Sequence, residues 1–350
     1  MPARPLFRRH DAASQTRYQD VKQLARSQNR IVSGTPGTLK QRTQSGKRYW
    51  VREYIRVDGR KTDEYIGPES SADQATIEKL RAEIDLAKAL ASGSAKLRLF
   101  GYQRIDRKPA AVLEVFFNRG LHQAGLTLVG SHAYGVLLNE LGISAPGYKT
   151  RDPDVARARP LAIALAEGVD FEQLLKETAL RFVPVPGMPS HRPSASFKLP
   201  GAETLAVDLL VPGNRVGEVV PVKELRAYAQ AIPLLDFLVG DPINSVVLSP
   251  NQVIPVKIPS PEHFLLHKLY SSQSRRADRD KVRKDLEQAA VLAAALVEDT
   301  PGTLREALRR IPSAEKPAVR RGARAAAKIL EPSHPEAEDA LLELAGKQSR

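Results

Sequence analysis

Hydrophobic positions in this chain switch between a helical and an alternating period, and the switches mark its elements. Between residues 71 and 92, Ile77, Leu80, Ile84 and Ala87 recur at three- and four-residue steps, which predicts an amphipathic helix. Lys108 to His122 repeats the pattern through Val112, Val115, Phe116 and Leu121, with Pro109 near its start. Val282, Leu286, Ala289, Ala293 and Leu296 form a third stripe, with Lys281, Lys284, Asp285 and Gln288 as a polar stripe beside it. Shorter helices are expected over residues 15–30, from His132 to Leu141 with Gly142 closing it, and from Phe171 to Arg181. Ser260-Pro261-Glu262 opens another, with serine as cap and proline at the first helical position. Residues 301–350 read as helical, interrupted at Pro312, Pro317 and Pro335.

The alternating stretches predict strands. Tyr49 to Arg56 and Lys61 to Ile66 flank Asp58-Gly59, a dipeptide that tolerates positive φ and so favours a hairpin turn. One face of the first of these strands would carry Trp50, Arg52, Tyr54 and Arg56, a candidate nucleic-acid surface in which rings stack on bases and arginines hold phosphates. The alternative for that face is a small hairpin packing its rings on a neighbour. Further strands are expected at Leu126–Val129, Ser196–Pro200, Thr204–Val211, Ser245–Leu248 and Val253–Ile258. Residues 33–37 and 183–189 read as loops, and residues 1–14, with no periodic pattern, as disordered. These signals divide the chain into a basic N-terminal region (1–100), a mixed core (101–258) and a helical C-terminal region (259–350). The class is α+β, with a small mixed sheet and flanking helices.

Three aspartates fall where strands end or pass through the core. The run Leu126-Thr127-Leu128-Val129 stops at Gly130-Ser131, at a strand-to-helix turn whose open N–H groups suit an anion. Asp152 and Asp154 are two residues apart and can share one strand face, and Asp208 lies inside Leu205-Ala206-Val207-Asp208-Leu209-Leu210. A carboxylate in such an apolar run is costly unless something compensates it. Three of them together suit a hard cation such as Mg2+ or Mn2+. Pro153, between the paired aspartates, fits only a strand edge or a bulge.

Composition narrows the picture. The chain has 350 residues and a formal net charge of +13, and residues 1–60 hold 14 Lys+Arg against 4 Asp+Glu. That imbalance favours a polyanionic partner, nucleic acid or nucleotide phosphate. With no cysteine, disulfides and thiolate zinc sites are excluded. No apolar run approaches membrane-spanning length and the N-terminus carries no signal-like segment, so a cytoplasmic protein without membrane contact is expected.

The order Gly130-Ser131, Asp152-x-Asp154, Asp208 resembles the polymerase-β-like nucleotidyltransferase superfamily, and most closely a bacterial branch known only as nucleotidyltransferase fold proteins. The stretches carrying the likeness include Tyr49-Trp50, Tyr65-Ile66-Gly67-Pro68, Val129-Gly130-Ser131-His132-Ala133-Tyr134, Thr150-Arg151-Asp152-Pro153-Asp154 and Val207-Asp208-Leu209-Leu210-Val211-Pro212. Pro259-Ser260-Pro261-Glu262, His267-Lys268-Leu269 and Lys281 to Asp285 complete it, over residues 48–297. AbiE-type toxin nucleotidyltransferases are similar at greater distance, through Lys284-Asp285. The resemblance implies transfer of a nucleoside monophosphate from an NTP to an acceptor hydroxyl, with two Mg2+ or Mn2+ ions on Asp152, Asp154 and Asp208. It implies that Gly130 and Ser131 hold the β- and γ-phosphates. Lys268, Lys281 and Lys284 would serve the nucleotide, with Asp285 orienting a lysine. The acceptor would be RNA, tRNA foremost, or a protein hydroxyl, and a toxin role would bring an antitoxin partner. The alternative is a catalytically weak or inactive module that keeps the fold for nucleic-acid binding.

Overall fold

The structure, a computed structural model, describes residues 5–69, 74–145, 154–156 (backbone only), 170–186, 193–201, 205–215, 217–274, 278–331 and 333–346. Strand β1 (Arg8–Arg9) pairs antiparallel with β6 (Ile143–Ser144), and helix α1 (Ala12–Arg26) follows, capped where Ser14 N–H donates to Asp11 Oδ1 at 2.8 Å. The expectation of disorder over residues 1–14 is corrected from residue 5 onward. Phe7 is buried, and the Arg9 guanidinium reaches Glu298 at 2.8 Å and Asp299 at 2.7 Å. These anchors lie far away in sequence, so no local period announces them.

Strands β2 (Thr38–Gln44), β3 (Lys47–Ile55) and β4 (Lys61–Pro68) form an antiparallel sheet, with the expected hairpin joining the last two. β2 escapes the hydrophobic pattern because Thr-Leu-Lys-Gln-Arg-Thr-Gln has one apolar residue. A register shift between Trp50 and Val51 breaks the alternation, so that Val51 and Arg52 are both buried. This corrects the assignment of Arg52 to a nucleic-acid surface. Its guanidinium donates to the Ser33 and Thr35 carbonyls at 2.6 Å, to Pro36 O at 3.1 Å and to Glu64 at 2.9 Å. It fastens the 33–36 loop and has no face left for a phosphate. Tyr54 lies under the same guanidinium at 4.1 Å, and Trp50 and Arg56 are half-buried. Neighbouring cations are also engaged. Lys40 and Lys61 hold the Glu53 carboxyl down to about 2, and Arg42 bridges Glu53 and Asp63.

Helix α2 (Gln74–Leu99) packs on α1, and α3 (Arg107–Asn118) is buried along most of its length. Glu114 of α3 joins the N-terminal region to the core. Its carboxylate accepts from Ser33 Oγ and from Gln252 Nε2, both at 2.6 Å. Burial pushes this carboxyl up, against the pull of the two donors. A carboxyl with a raised native pKa contributes stability that is full below the ordinary Glu range and is lost as pH rises through the raised value. Glu114→Gln keeps the shape, and the Ser33 hydroxyl can turn to accept. The variant should therefore flatten the dependence of the urea midpoint on pH from about 4 to about 8. An unchanged slope would place its origin elsewhere.

The central sheet holds nine strands. In chain order they are β5 (Thr127–Val129), β7 (Asp154–Ala156), β8 (Val183–Pro184), β9 (Ser196–Leu199), β10 (Leu205–Pro212), β11 (Val219–Val222), β12 (Ala227–Ile232), β13 (Pro242–Leu248) and β14 (Val253–Pro259). The spatial order is β11-β12-β10-β7-β5-β14-β13, with β9 on the first half of β10 and β8 beyond it. Parallel pairs (β7 and β12 with β10, β5 with β14) mix with antiparallel ones. Helices α4 (Gly130–Glu140), α5 (Phe171–Glu177) and the short α6 (Leu235–Leu238) connect strands.

After β14 the chain is helical: α7 (Pro261–Ser274), α8 (Arg279–Asp299), α9 (Thr303–Arg310), α10 (Lys316–Leu330) and α11 (Pro335–Leu344). Pro317 and Pro335 start helices rather than break them, since an N-terminal position has no intrahelical N–H to lose. α10 lies so close to α7 that a Cβ at Gly322 would overlap the Leu269 carbonyl. One hydrophobic core runs from the sheet into these helices.

Candidate active site

Strand register decides which distant residues meet. β7 lies between β5 and β10, with Asp154 opposite Val129 on one side and opposite Asp208 on the other. The end of β5, the start of β7 and the middle of β10 thus form one row across the sheet. Asp152, Pro153 and the side chain of Asp154 lie outside the described residues. Along β10, Val207, Leu209 and Val211 are buried in the core, while Asp208 and Leu210 line a cavity on the opposite face. β12 does the same, with Ala229 and Ala231 in the core and Gln230 and Ile232 at the cavity.

The cavity, of about 580 Å3, is closed by the start of α4 and by α7 and α8. Gly130 sits at φ +67°, a conformation that residues with a Cβ rarely adopt, so the chain turns there from β5 directly into α4. Val129 occupies the cap position and its side chain makes no hydrogen bond to the first turn of α4, which starts beside the cavity. Lys284 of α8 donates to Ser131 Oγ at 2.6 Å, setting a cation at that helix start. Lys268 of α7 donates to Asp285 Oδ1 of α8 at 2.6 Å, and both partners are buried. The same ammonium lies 5.3 Å from the Phe264 ring centre. Asp278 caps α8 by accepting from Lys281 N–H at 3.0 Å and pairs with the Lys281 ammonium at 3.2 Å.

Gly130, Ser131, Asp208, Lys268, Lys281, Lys284 and Asp285 all border this one cavity. Trp50, Arg52, Tyr54 and Arg56 do not, since they belong to the separate three-stranded sheet. The polar stripe read on α8 is partly turned inward, with Asp285 nearly and Gln288 fully buried. Gln230, Ile232 and Pro233 escape a reading of the sequence. Ala-Tyr-Ala-Gln-Ala-Ile alternates, but alanine is too weak a strand former for the run to stand out.

The cavity is therefore two-sided. Lys284 meets the start of α4, and Leu210, Ile232 and Pro233 make an apolar wall along β10 and β12. Such a site can hold a molecule with an anionic part and a flat apolar part, beside a carboxylate. Among the described residues, no three His, Asp or Glu side chains cluster closely enough to hold a metal ion. None of the described helices is long and apolar enough to cross a membrane.

Comparison with solved structures finds an antigenic nucleotidyltransferase-like protein from Paracoccidioides brasiliensis. It is 15% identical, over 58% of this chain and 85% of that one, with a TM-score of 0.32. No curated protein matches the chain. The family model described as Nucleotidyltransferase matches residues 107–313, more than half of the chain, and spans the cavity-lining residues from Val129 to Asp285. The chain belongs to this nucleotidyltransferase family.

Proposed function

We propose that the chain transfers a nucleoside monophosphate from an NTP to an acceptor hydroxyl within this cavity. One observation carries the reading: phosphate-binding elements from α4, α7 and α8 face the same space as the Asp208 carboxylate. The α4 N–H groups and the Ser131 hydroxyl hold the terminal phosphates. Lys284, fixed by Ser131, and Lys268, fixed by Asp285, offset the negative charge that builds on the departing pyrophosphate. Leu210 and Ile232 give the nucleobase an apolar wall. Asp208 orients the acceptor hydroxyl and takes up its proton.

The donor chemistry fits a divalent ion. Asp208 presents hard oxygens to the cavity, and its register partner is Asp154. Asp152, Asp154 and Asp208 would hold Mg2+ or Mn2+, which when bound sharpens the attacking hydroxyl and neutralises phosphate charge.

The decisive experiment incubates the protein with each of four α-labelled NTPs, with total RNA or with protein, with and without Mg2+. Label entering an acceptor only with the metal supports transfer. Nucleotide or RNA binding without any labelling would leave a binding module. Within an active enzyme, Lys284→Met should lower kcat by about 100-fold or more while leaving KM for the NTP less affected, because the cation serves developing charge. A change confined to KM would make Lys284 a ground-state contact.

A further inference from the structure

The sequence concentrates net positive charge in residues 1–60, yet the structure engages many of those cations internally. Arg9, Lys22, Arg30, Lys40, Arg42, Arg48, Arg52 and Arg56 all pair with carboxylates. A further run of positive charge lies on α10. Its 15 residues include Lys316, Arg320, Arg321, Arg324 and Lys328 and no carboxylate. At 100° per residue these five fall within one side of the helix, apart from the buried side of Val319, Ala323, Ala326 and Leu330. Among the described residues, Arg320, Arg321 and Lys328 are exposed and make no ion pair. Arg324 donates to the Ala345 carbonyl at 3.1 Å. Like charges four residues apart work against a helix by a few tenths of a kcal/mol per pair.

α10 packs against α7 and α8, which carry the cavity lysines. Arg279 and Arg283 of α8, both exposed, line a groove that also includes Ile329 of α10, next to Lys328.

We propose that this groove and the basic face of α10 form a docking surface for an RNA acceptor. The proposal rests on the nucleotide-transfer reading, which requires a hydroxyl-bearing acceptor. Charge complementarity favours a phosphate backbone. An acidic protein fits less well, because the face offers no aromatic anchor.

The test compares the wild-type protein with the triple variant Arg320→Ser/Arg321→Ser/Lys328→Ser, which alters only exposed side chains. Binding of a labelled single-stranded RNA oligomer is followed by fluorescence anisotropy across a salt series. Binding of a non-transferable NTP analogue to the cavity is measured in parallel. The variant should bind RNA more weakly, with its log–log salt slope reduced by about 2, at roughly 0.7 for each phosphate that is no longer neutralised. Its affinity for the NTP analogue should match wild type. Unchanged RNA affinity and slope would overturn the proposal. So would poly-glutamate bound as tightly as RNA and released in the same variant, which would mark an acidic-protein surface. If RNA binding falls as expected but neither protein binds the NTP analogue, the surface stands and the transfer reading fails.

Discussion

Asp208→Ala is expected to abolish nucleotide transfer while leaving a folded protein. The carboxylate lies on β10 between core residues Val207 and Leu209 but faces the cavity, opposite Asp154 in the β7 register. Removing it takes away a candidate metal ligand and the group assigned to the acceptor proton. Several kcal/mol of transition-state stabilisation would go with it, and each 1.36 kcal/mol is about tenfold in rate, so a loss of about 1,000-fold or more follows. Stability should hold or rise, because like carboxylates in one site repel each other. The check pairs a labelled-NTP transfer assay with thermal melting. Transfer at the wild-type rate would remove Asp208 from the chemistry. Abolished transfer together with a collapsed melting transition would show that the residue serves the fold.

The α+β class and a set of residues that line one cavity are legible in this sequence. Gly130-Ser131, Asp208 and the α7 and α8 lysines stand out because each pairs a polar group with an apolar run, and the fold brings them to one cavity. Asp152 and Asp154 stand out for the same reason, although Asp152 and the Asp154 side chain lie outside the described residues. Elements held by distant partners cannot be read this way. Phe7 and Arg9 are ordered by residues of the C-terminal helices, and β2 is held by β3 despite a polar sequence. Arg52 misleads because strand alternation assumes an unbroken register, and the shift at Trp50 and Val51 turns its guanidinium onto the 33–36 loop. Unevenness of charge along the sequence misleads similarly. Formal charge counts every cation alike, whereas in three dimensions many N-terminal cations pair with carboxylates and α10 carries five cations and no carboxylate.

Asp285→Ala is expected to cause the largest loss of stability of any substitution in the cavity wall. The single change strands the Lys268 ammonium between α7 and α8, beside Phe264, in a site where Lys268 is 9% and Asp285 1% exposed. Breaking a buried pair from one side typically costs about 3–5 kcal/mol, most of it the uncompensated charge. Replacing both partners by apolar residues of similar volume is often neutral, so Lys268→Met/Asp285→Leu should recover most of that stability. Transfer should not recover with it, because the buried cation that Asp285 holds in the cavity wall is gone. Urea midpoints and transfer rates for the wild-type protein, the single variant and the double variant separate the two roles. A double variant that is both stable and fully active would make the pair a helix–helix tie with no part in the reaction. A stable, inactive one would assign Lys268 to the nucleotide and Asp285 to holding it there.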